Sequence, residues 1–406
     1  MKEKRFPEQN LPGDVQLKAD NMNTREADIP AFEALPLCAD RTAVLDVFAR
    51  EMYGPIPPRC EMILQTKNEA EVFGGLGIRR EIDIICRNRG IERTLHMLLY
   101  LPAKTMGKVP CFFGLNFPGN IATTADTGAT FYPFRCYTAD SAWYADRRAG
   151  AGEFGSKRDR WEFEKVLKAG FASATICYFD CFSDHPDGYD ESIMPLFCDR
   201  ELWGSPQRPT GAVSAWAWGI QRAVDVLSQQ PEIAADRIVV HGLSRLGKTA
   251  LWAGANDERI ALTVSFCSGT CGAKMTRRYF GESLEWLLHW RPYWFVPSLA
   301  QYVKKDTVIP FDQQQLMAAI APRGLYVASA SLDDYADPKG EFLAAKAASE
   351  AWEDDPLKGC DFPAVKCGTG NGNVRYFLRE GEHNCTPENW DDLIRFTAKF
   401  FQMEQL

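Results

Sequence analysis

The chain has 406 residues, with 54 acidic against 46 basic side chains and a formal charge of −8, a balance that argues against nucleic acid, whose phosphates demand a basic face. No apolar run approaches the roughly 18 residues a helix needs to span a bilayer, so no membrane association is expected. Thirteen cysteines, an odd number without a C-x-x-C pair, suit a reducing compartment better than a disulfide framework. Met1-Lys-Glu-Lys-Arg-Phe-Pro7 lacks the apolar stretch of a secretory signal, so a cytoplasmic location is expected, with secretion kept open for a chain whose leader has been removed.

In chain order, residues 1–55 read as an N-terminal arm with one amphipathic helix over 41–52. Strand patterns follow near 60–66, 78–87 and 93–101, then near 110–115, 171–177, 237–241, 261–266, 325–330 and 374–378. Helix patterns lie near 158–169, 212–229, 247–255, 340–353 and 387–402. Antiparallel strands followed by alternating strand and helix predict an α/β architecture, an open and mostly parallel sheet covered on both faces. There is no internal repeat or polar linker, so residues 1–406 are expected to form a single domain with the arm packed on it. Ligand should bind at the carboxyl ends of the parallel strands. The insert from Arg277 to Tyr302 and the loop from Thr123 to Lys157 are expected to wall that pocket.

The most informative stretch is Asp236-Arg-Ile-Val-Val-His-Gly-Leu-Ser-Arg-Leu-Gly-Lys248. A β-branched run, then Gly242 and Gly247 about Ser244, then a helix pattern describes a strand–turn–helix with a serine at its apex. Such a turn lifts the hydroxyl from the sheet edge, and the glycines let strand and helix pass closely. A serine nucleophile needs a base, and the chain has five histidines. His96 and His241 lie in apolar strands and read as packing residues, His185 lies in a polar loop and His289 in an aromatic segment. His383 follows the last strand, in the chain order Ser, acid, His, with Thr386 and Pro387 reading as the N-cap and first position of the next helix.

The strand at 261–266 ends in Cys267 and Ser268, without a carboxylate. The next strand leads into Asp333, Asp334 and Asp337. Asp337 precedes a proline and reads as a helix cap. Asp333, nearest the strand end, is the first choice to orient His383. Asp334 is second, and Glu285 or Glu382 would follow if neither served. Arg245 and Lys248 put two cations beside the serine, Lys248 one turn along the same helix face, where a guanidinium suits a developing oxyanion.

Several motifs together are similar to the glucuronoyl esterases of carbohydrate esterase family 15, bacterial type. They are Gly114-Leu-Asn-Phe-Pro-Gly-Asn120, Ala215-Trp-Ala-Trp-Gly219, Gly242-Leu-Ser-Arg-Leu-Gly-Lys248, Ser268-Gly-Thr-Cys-Gly-Ala273, Arg277-Arg-Tyr-Phe-Gly-Glu282, Tyr293-Trp-Phe295, Leu316-Met-Ala-Ala-Ile-Ala-Pro-Arg323, the segment from Ala328 to Glu341, and the His383 loop. The resemblance implies an α/β-hydrolase fold and a serine-esterase mechanism without cofactor or metal. It implies as substrate a small-molecule or oligosaccharide ester, namely the methyl or lignin-alcohol ester of (4-O-methyl-)glucuronic acid on xylan. By the same resemblance Ser244 is the nucleophile, His383 the base and Arg245 the oxyanion-stabilising arginine. Lys248 and Glu282 fall on residues that bind sugar hydroxyls. Tyr335 stands where many members have a sugar-contacting tryptophan, and Trp294 joins the substrate-binding set. Cys267 departs from the pattern, because most members carry the catalytic glutamate there, whereas bacterial members often carry an acid at the position of Asp333. An acetyl (xylan) esterase or general carboxylesterase is the alternative within enzymes. A carbohydrate-binding pseudoenzyme, prompted by Cys267, is the alternative outside them. Oligomeric state is left open.

Overall fold

A computed structural model describes residues 26–105, 107–117, 119–132 and 154–403. The expected strands are β1 (Glu61–Val72), β2 (Gly77–Asn88), β3 (Ile91–Pro102), β4 (Val109–Asn116), β5 (Ala172–Cys177), β6 (Ile233–Leu243), β7 (Ile260–Phe266), β8 (Gly324–Ala330) and β10 (Val374–Arg379). A short β9 (Cys367–Thr369), with too few residues to show alternation, completes a ten-stranded sheet of order β1-β2-β3-β5-β4-β6-β7-β8-β10-β9. The first three strands and the β3–β5 and β10–β9 contacts are antiparallel, and the run from β5 through β10 is parallel. Strands β4 to β8 and β10 are largely buried on both faces, as in a sheet covered twice. This is the α/β-hydrolase fold.

Helices α1 (Arg41–Phe48), α2 (Phe163–Lys168), α3 (Ala212–Leu227), α4 (Arg245–Asn256), α5 (Leu284–Trp290), α6 (Gln313–Ala318), α7 (Pro338–Ser349) and α8 (Pro387–Phe400) flank it. One face is closed by α3, α4, α6 and α7 with Trp216, Trp218 and Trp252 in the core. The other is closed by α2 and α8, where Trp390 meets Phe112. α3 is apolar almost all round, so nearly every residue in it is buried. Thr386 and Pro387 open α8 as expected, with the Thr386 N–H donating to Asn389 Oδ1 at 3.1 Å.

Some expected bounds shift. The helix expected over 41–52 is regular only to Phe48, after which Ala49–Tyr53 widens to a π-turn. The one at 158–169 begins at Phe163, and α5 and α6 are too short to show a helical period. Residues 1–25 of the arm and 133–153 of the expected wall loop lie outside the described residues. Glu26 ties the described end of the arm to Arg278 and Lys339. No described helix is long and apolar enough to cross a membrane.

Candidate active site

Strand β6 ends at Leu243, and α4 begins at Arg245. Between them Ser244 sits at φ 60°, ψ −127°, backbone that side chains avoid unless the surroundings impose it. Here the close passage imposes it. A Cβ on Gly242 would lie 2.0 Å from the Leu246 carbonyl oxygen, and one on Gly247 2.8 Å from Ser268 Cβ. The Ser244 N–H donates to Phe266 O at 2.9 Å, and its carbonyl accepts from Gly247 and Lys248 at 2.9 and 3.1 Å. The hydroxyl is thus held at the carboxyl edge, beside the first N–H groups of α4 and their partial positive charge.

His383 and Asp333 meet at the same edge. Asp333 Oδ2 lies 2.6 Å from His383 Nδ1, with the aspartate side chain 3 % and the imidazole 41 % exposed. A buried carboxylate on Nδ1 fixes the proton there and leaves Nε2 as the basic nitrogen. Asp333 lies in the turn that follows β8, its N–H bonded to Ala330 O at 3.0 Å. The loop carrying His383 is drawn in by the buried Arg379, whose guanidinium donates to the carbonyls of Glu380, Glu382 and Asn384. The other candidate acids are placed elsewhere. Asp334 is exposed, Asp337 caps α7 through Gly340 N at 3.0 Å and holds Arg278, and Glu285 pairs with Lys304. Among the other histidines, His241 is buried 5.0 and 5.1 Å from the Trp161 and Trp390 rings, and burial pushes its pKa down to about 3. It is a packing residue, as its strand suggested. His96 pairs with Asp83 at 2.8 Å.

Cys267, one residue beyond β7, also takes a left-handed backbone, φ 46°. Its sulfur, an Asp333 carboxylate oxygen and a His383 ring nitrogen all lie within 4.8 Å of one another. Burial, with the Glu341 and Asp333 carboxyls beside it, pushes the thiol well above its usual range. Glu341, fully buried on α7, accepts from Gly269 N at 2.9 Å and from Ser329, and burial pushes its carboxyl up to about 8.

Arg245 is anchored by a residue the sequence did not reveal. Its guanidinium bonds Asp184 Oδ2 and lies 4.7 Å over the Trp294 ring. Asp184, 1 % exposed on its side chain, also accepts from Tyr178 Oη and Tyr293 Oη at 2.9 Å and Trp294 Nε1 at 2.7 Å. Burial opposes its ionisation, but the Arg245 and Arg291 guanidiniums and these donors outweigh it and hold the carboxyl below its ordinary range. Trp294, expected among the substrate-binding residues, is buried and has its indole N–H on Asp184. The insert 277–302 therefore reaches the Arg245 side of the site through Tyr293 and Trp294.

Lys248, Glu282 and Tyr335 are brought together. Lys248 is buried, its ammonium on Ser268 O and 3.6 Å from Glu282 Oε2. The Tyr335 hydroxyl bonds the Glu282 carboxylate and Trp286, and Glu282 N donates to Tyr335 O at 2.9 Å.

A family model described as glucuronyl esterase, fungi, matches residues 200–354. "Carbohydrate esterase MZ0003", from an unidentified prokaryote, is 34% identical over 361 residues, 88% of this chain and 83% of that protein. The chain belongs to the glucuronoyl esterases of carbohydrate esterase family 15. A glucuronoyl esterase from Solibacter usitatus superposes with a TM-score of 0.85 at 33% identity, over 93% of this chain and all of that one. A promiscuous esterase of the same family from a marine bacterial metagenome gives 0.82 at 31% identity, over 93% and 99%.

This esterase is therefore a carboxylic ester hydrolase. A strained serine, a carboxylate-held imidazole and a carboxylate-held guanidinium rise from the ends of β6, β8, β10 and the loop after β5. Lys248, one turn into α4, meets Glu282 from the insert and Tyr335 from the turn after β8 beside them.

Proposed function

We propose that this esterase hydrolyses glucuronoyl esters of xylan-derived or lignin–carbohydrate fragments through an acyl-enzyme on Ser244. The 2.6 Å contact between Asp333 and His383, at the edge where the strained Ser244 turn rises, carries the reading. His383 Nε2 takes the Ser244 proton as Oγ attacks the ester carbonyl. Arg245, aimed by Asp184 and backed by Trp294, meets the oxyanion together with the N–H groups that open α4, a kind of contribution worth about 10²–10³ per donor. Imidazolium then protonates the leaving alcohol, and the reverse relay activates water to release the glucuronate. Lys248, Glu282 and Tyr335 hold the sugar hydroxyls. Trp294 acts through Arg245. The chain works as one catalytic domain, since a single sheet supplies every group in this set. The free thiols of the described cysteines support a reducing compartment and a small imported ester as substrate.

The likeness to a promiscuous family member favours a broader carboxylesterase as the second reading. Rates on benzyl glucuronate, an acetylated xylo-oligosaccharide and an aryl acetate separate the two. Ser244→Ala should abolish hydrolysis of all three while circular dichroism stays unchanged. Activity within tenfold of the parent would defeat the assignment, and a parent inert on every ester would favour the carbohydrate-binding alternative.

A further inference from the structure

Most residues in the site have a part in ester hydrolysis, but Cys267, whose thiol donates to Asn384 O at 3.9 Å, has none. It presents a sulfur to the acid–base pair where a carboxylate would complete a second route to His383. We propose that Cys267, Asp333 and His383 form a site for a zinc-type divalent metal, and that metal held there arrests the enzyme. Only the arrest rests on Asp333 and His383 being the acid–base pair; the binding does not.

Thiolate, imidazole and carboxylate are the donors that zinc prefers, at about 2.3, 2.0–2.1 and 2.0–2.2 Å. Tetrahedral bonds of those lengths put the donor atoms roughly 3.3–3.8 Å apart. Here all three already lie within 4.8 Å of one another, with the Asp333–His383 pair at 2.6 Å. Small movements in opposite senses therefore suffice. His383 can make them because its ring is 41 % exposed on a loop, which also leaves a path from solvent and room for water as a fourth ligand. Charge favours the ion. A thiolate beside the Asp333 and Glu341 carboxyls is disfavoured, and Arg379 opposes that only in part. A divalent cation neutralises thiolate and Asp333 together. On binding, the thiol proton leaves to solvent and the imidazole proton passes from Nδ1 to Nε2, so one proton is released per metal. Nε2 then carries a proton and cannot accept one from Ser244.

Two measurements test this. Ser244→Ala is titrated with cadmium, whose thiolate charge-transfer absorption reports sulfur ligation without any turnover. A one-equivalent band should appear and should be missing from Ser244→Ala/Cys267→Ser. In parallel, zinc should slow hydrolysis by the otherwise intact enzyme roughly tenfold or more, and a chelator should restore it. Cys267→Ser, or Cys267→Ala if the serine variant folds poorly, should raise the half-inhibitory zinc concentration about 100-fold relative to its own metal-free rate. Equal zinc sensitivity in parent and variants, or a cadmium band indifferent to Cys267, overturns the proposal. If the parent hydrolyses no ester, the cadmium titration still decides the site, so its outcome is separable from that of the proposed function.

Discussion

Asp184→Asn isolates what aims Arg245, the arginine proposed to meet the oxyanion. The substitution keeps size and one carbonyl oxygen but removes the charge that the Arg245 guanidinium, Tyr178, Tyr293 and Trp294 converge on. A hydrogen bond to a charged group contributes about 1.5–3 kcal/mol, and both partners are largely withdrawn from water, so little of that is lost to screening. If Arg245 is left to wander, that energy disappears from the transition state, where about 1.4 kcal/mol is a factor of ten. The expected fall in kcat on benzyl glucuronate is roughly 10- to 100-fold, below the ~10²–10³ of deleting a donor outright. KM should change far less, because the oxyanion contact exists only in the transition state. Arg245→Gln should cost at least as much, and Asp184→Asn added to it should cost little more. If the two losses multiply instead, or if Asp184→Asn stays within twofold of the parent, Asp184 does not act through Arg245.

Asp333→Asn should lower turnover by up to roughly 10⁴, the size seen when a triad acid is replaced in a serine protease, while the exposed Asp334 tolerates the same change; equal small effects would send the search to another acid. Cys267→Glu should partly rescue Asp333→Asn, since the sulfur already lies within 4.8 Å of the imidazole; a double variant no faster than Asp333→Asn rules that out. Glu341 is protonated in the fold up to about 8, against an ordinary 4.5, so it favours the folded state below pH 4.5 and that advantage drains away as pH rises to 8, by at most about 1.4 kcal/mol per unit. Glu341→Gln should flatten this decline in urea unfolding, and a parent–variant difference equal at pH 5 and pH 9 would refute it.

The placement of Ser244, His383 and Asp333 at one sheet edge was legible because each obeys a local rule. Gly242 and Gly247 announce the tight turn at Ser244, Asp333 is the first carboxylate after the strand that ends at Ala330, and His383 sits between a strand and a capped helix. Asp184 obeys none. It lies in an aperiodic loop 61 residues before its partner, and four side chains from three segments define its role. Its one signal was position, since the loop after β5 opens at the same carboxyl edge. Glu341 was masked by its surroundings, because an acidic residue in a first helical turn reads as a surface group favoured by the helix dipole, whereas α7 turns it inward. Trp294 was legible as belonging to the site but not by which edge, and its indole N–H proves to serve a carboxylate. β9 and α6 were missed because periodicity needs more residues than they have, and for the same reason α5 showed no bounds of its own within the insert.

The parallel run from β5 to β10 also governs when function appears during folding. Asp333 and His383 are 50 residues apart and Arg245 and Asp184 61, and parallel neighbours pair only after a crossover connection has closed. Such non-local contacts form slowly, after helices and hairpins. The antiparallel β1–β3 meander can assemble early without building any of the site. Hydrolysis should therefore be a late reporter, silent until the far strands β8 and β10 have joined, and a mutation that loosens β10 should abolish activity while most of the secondary structure persists.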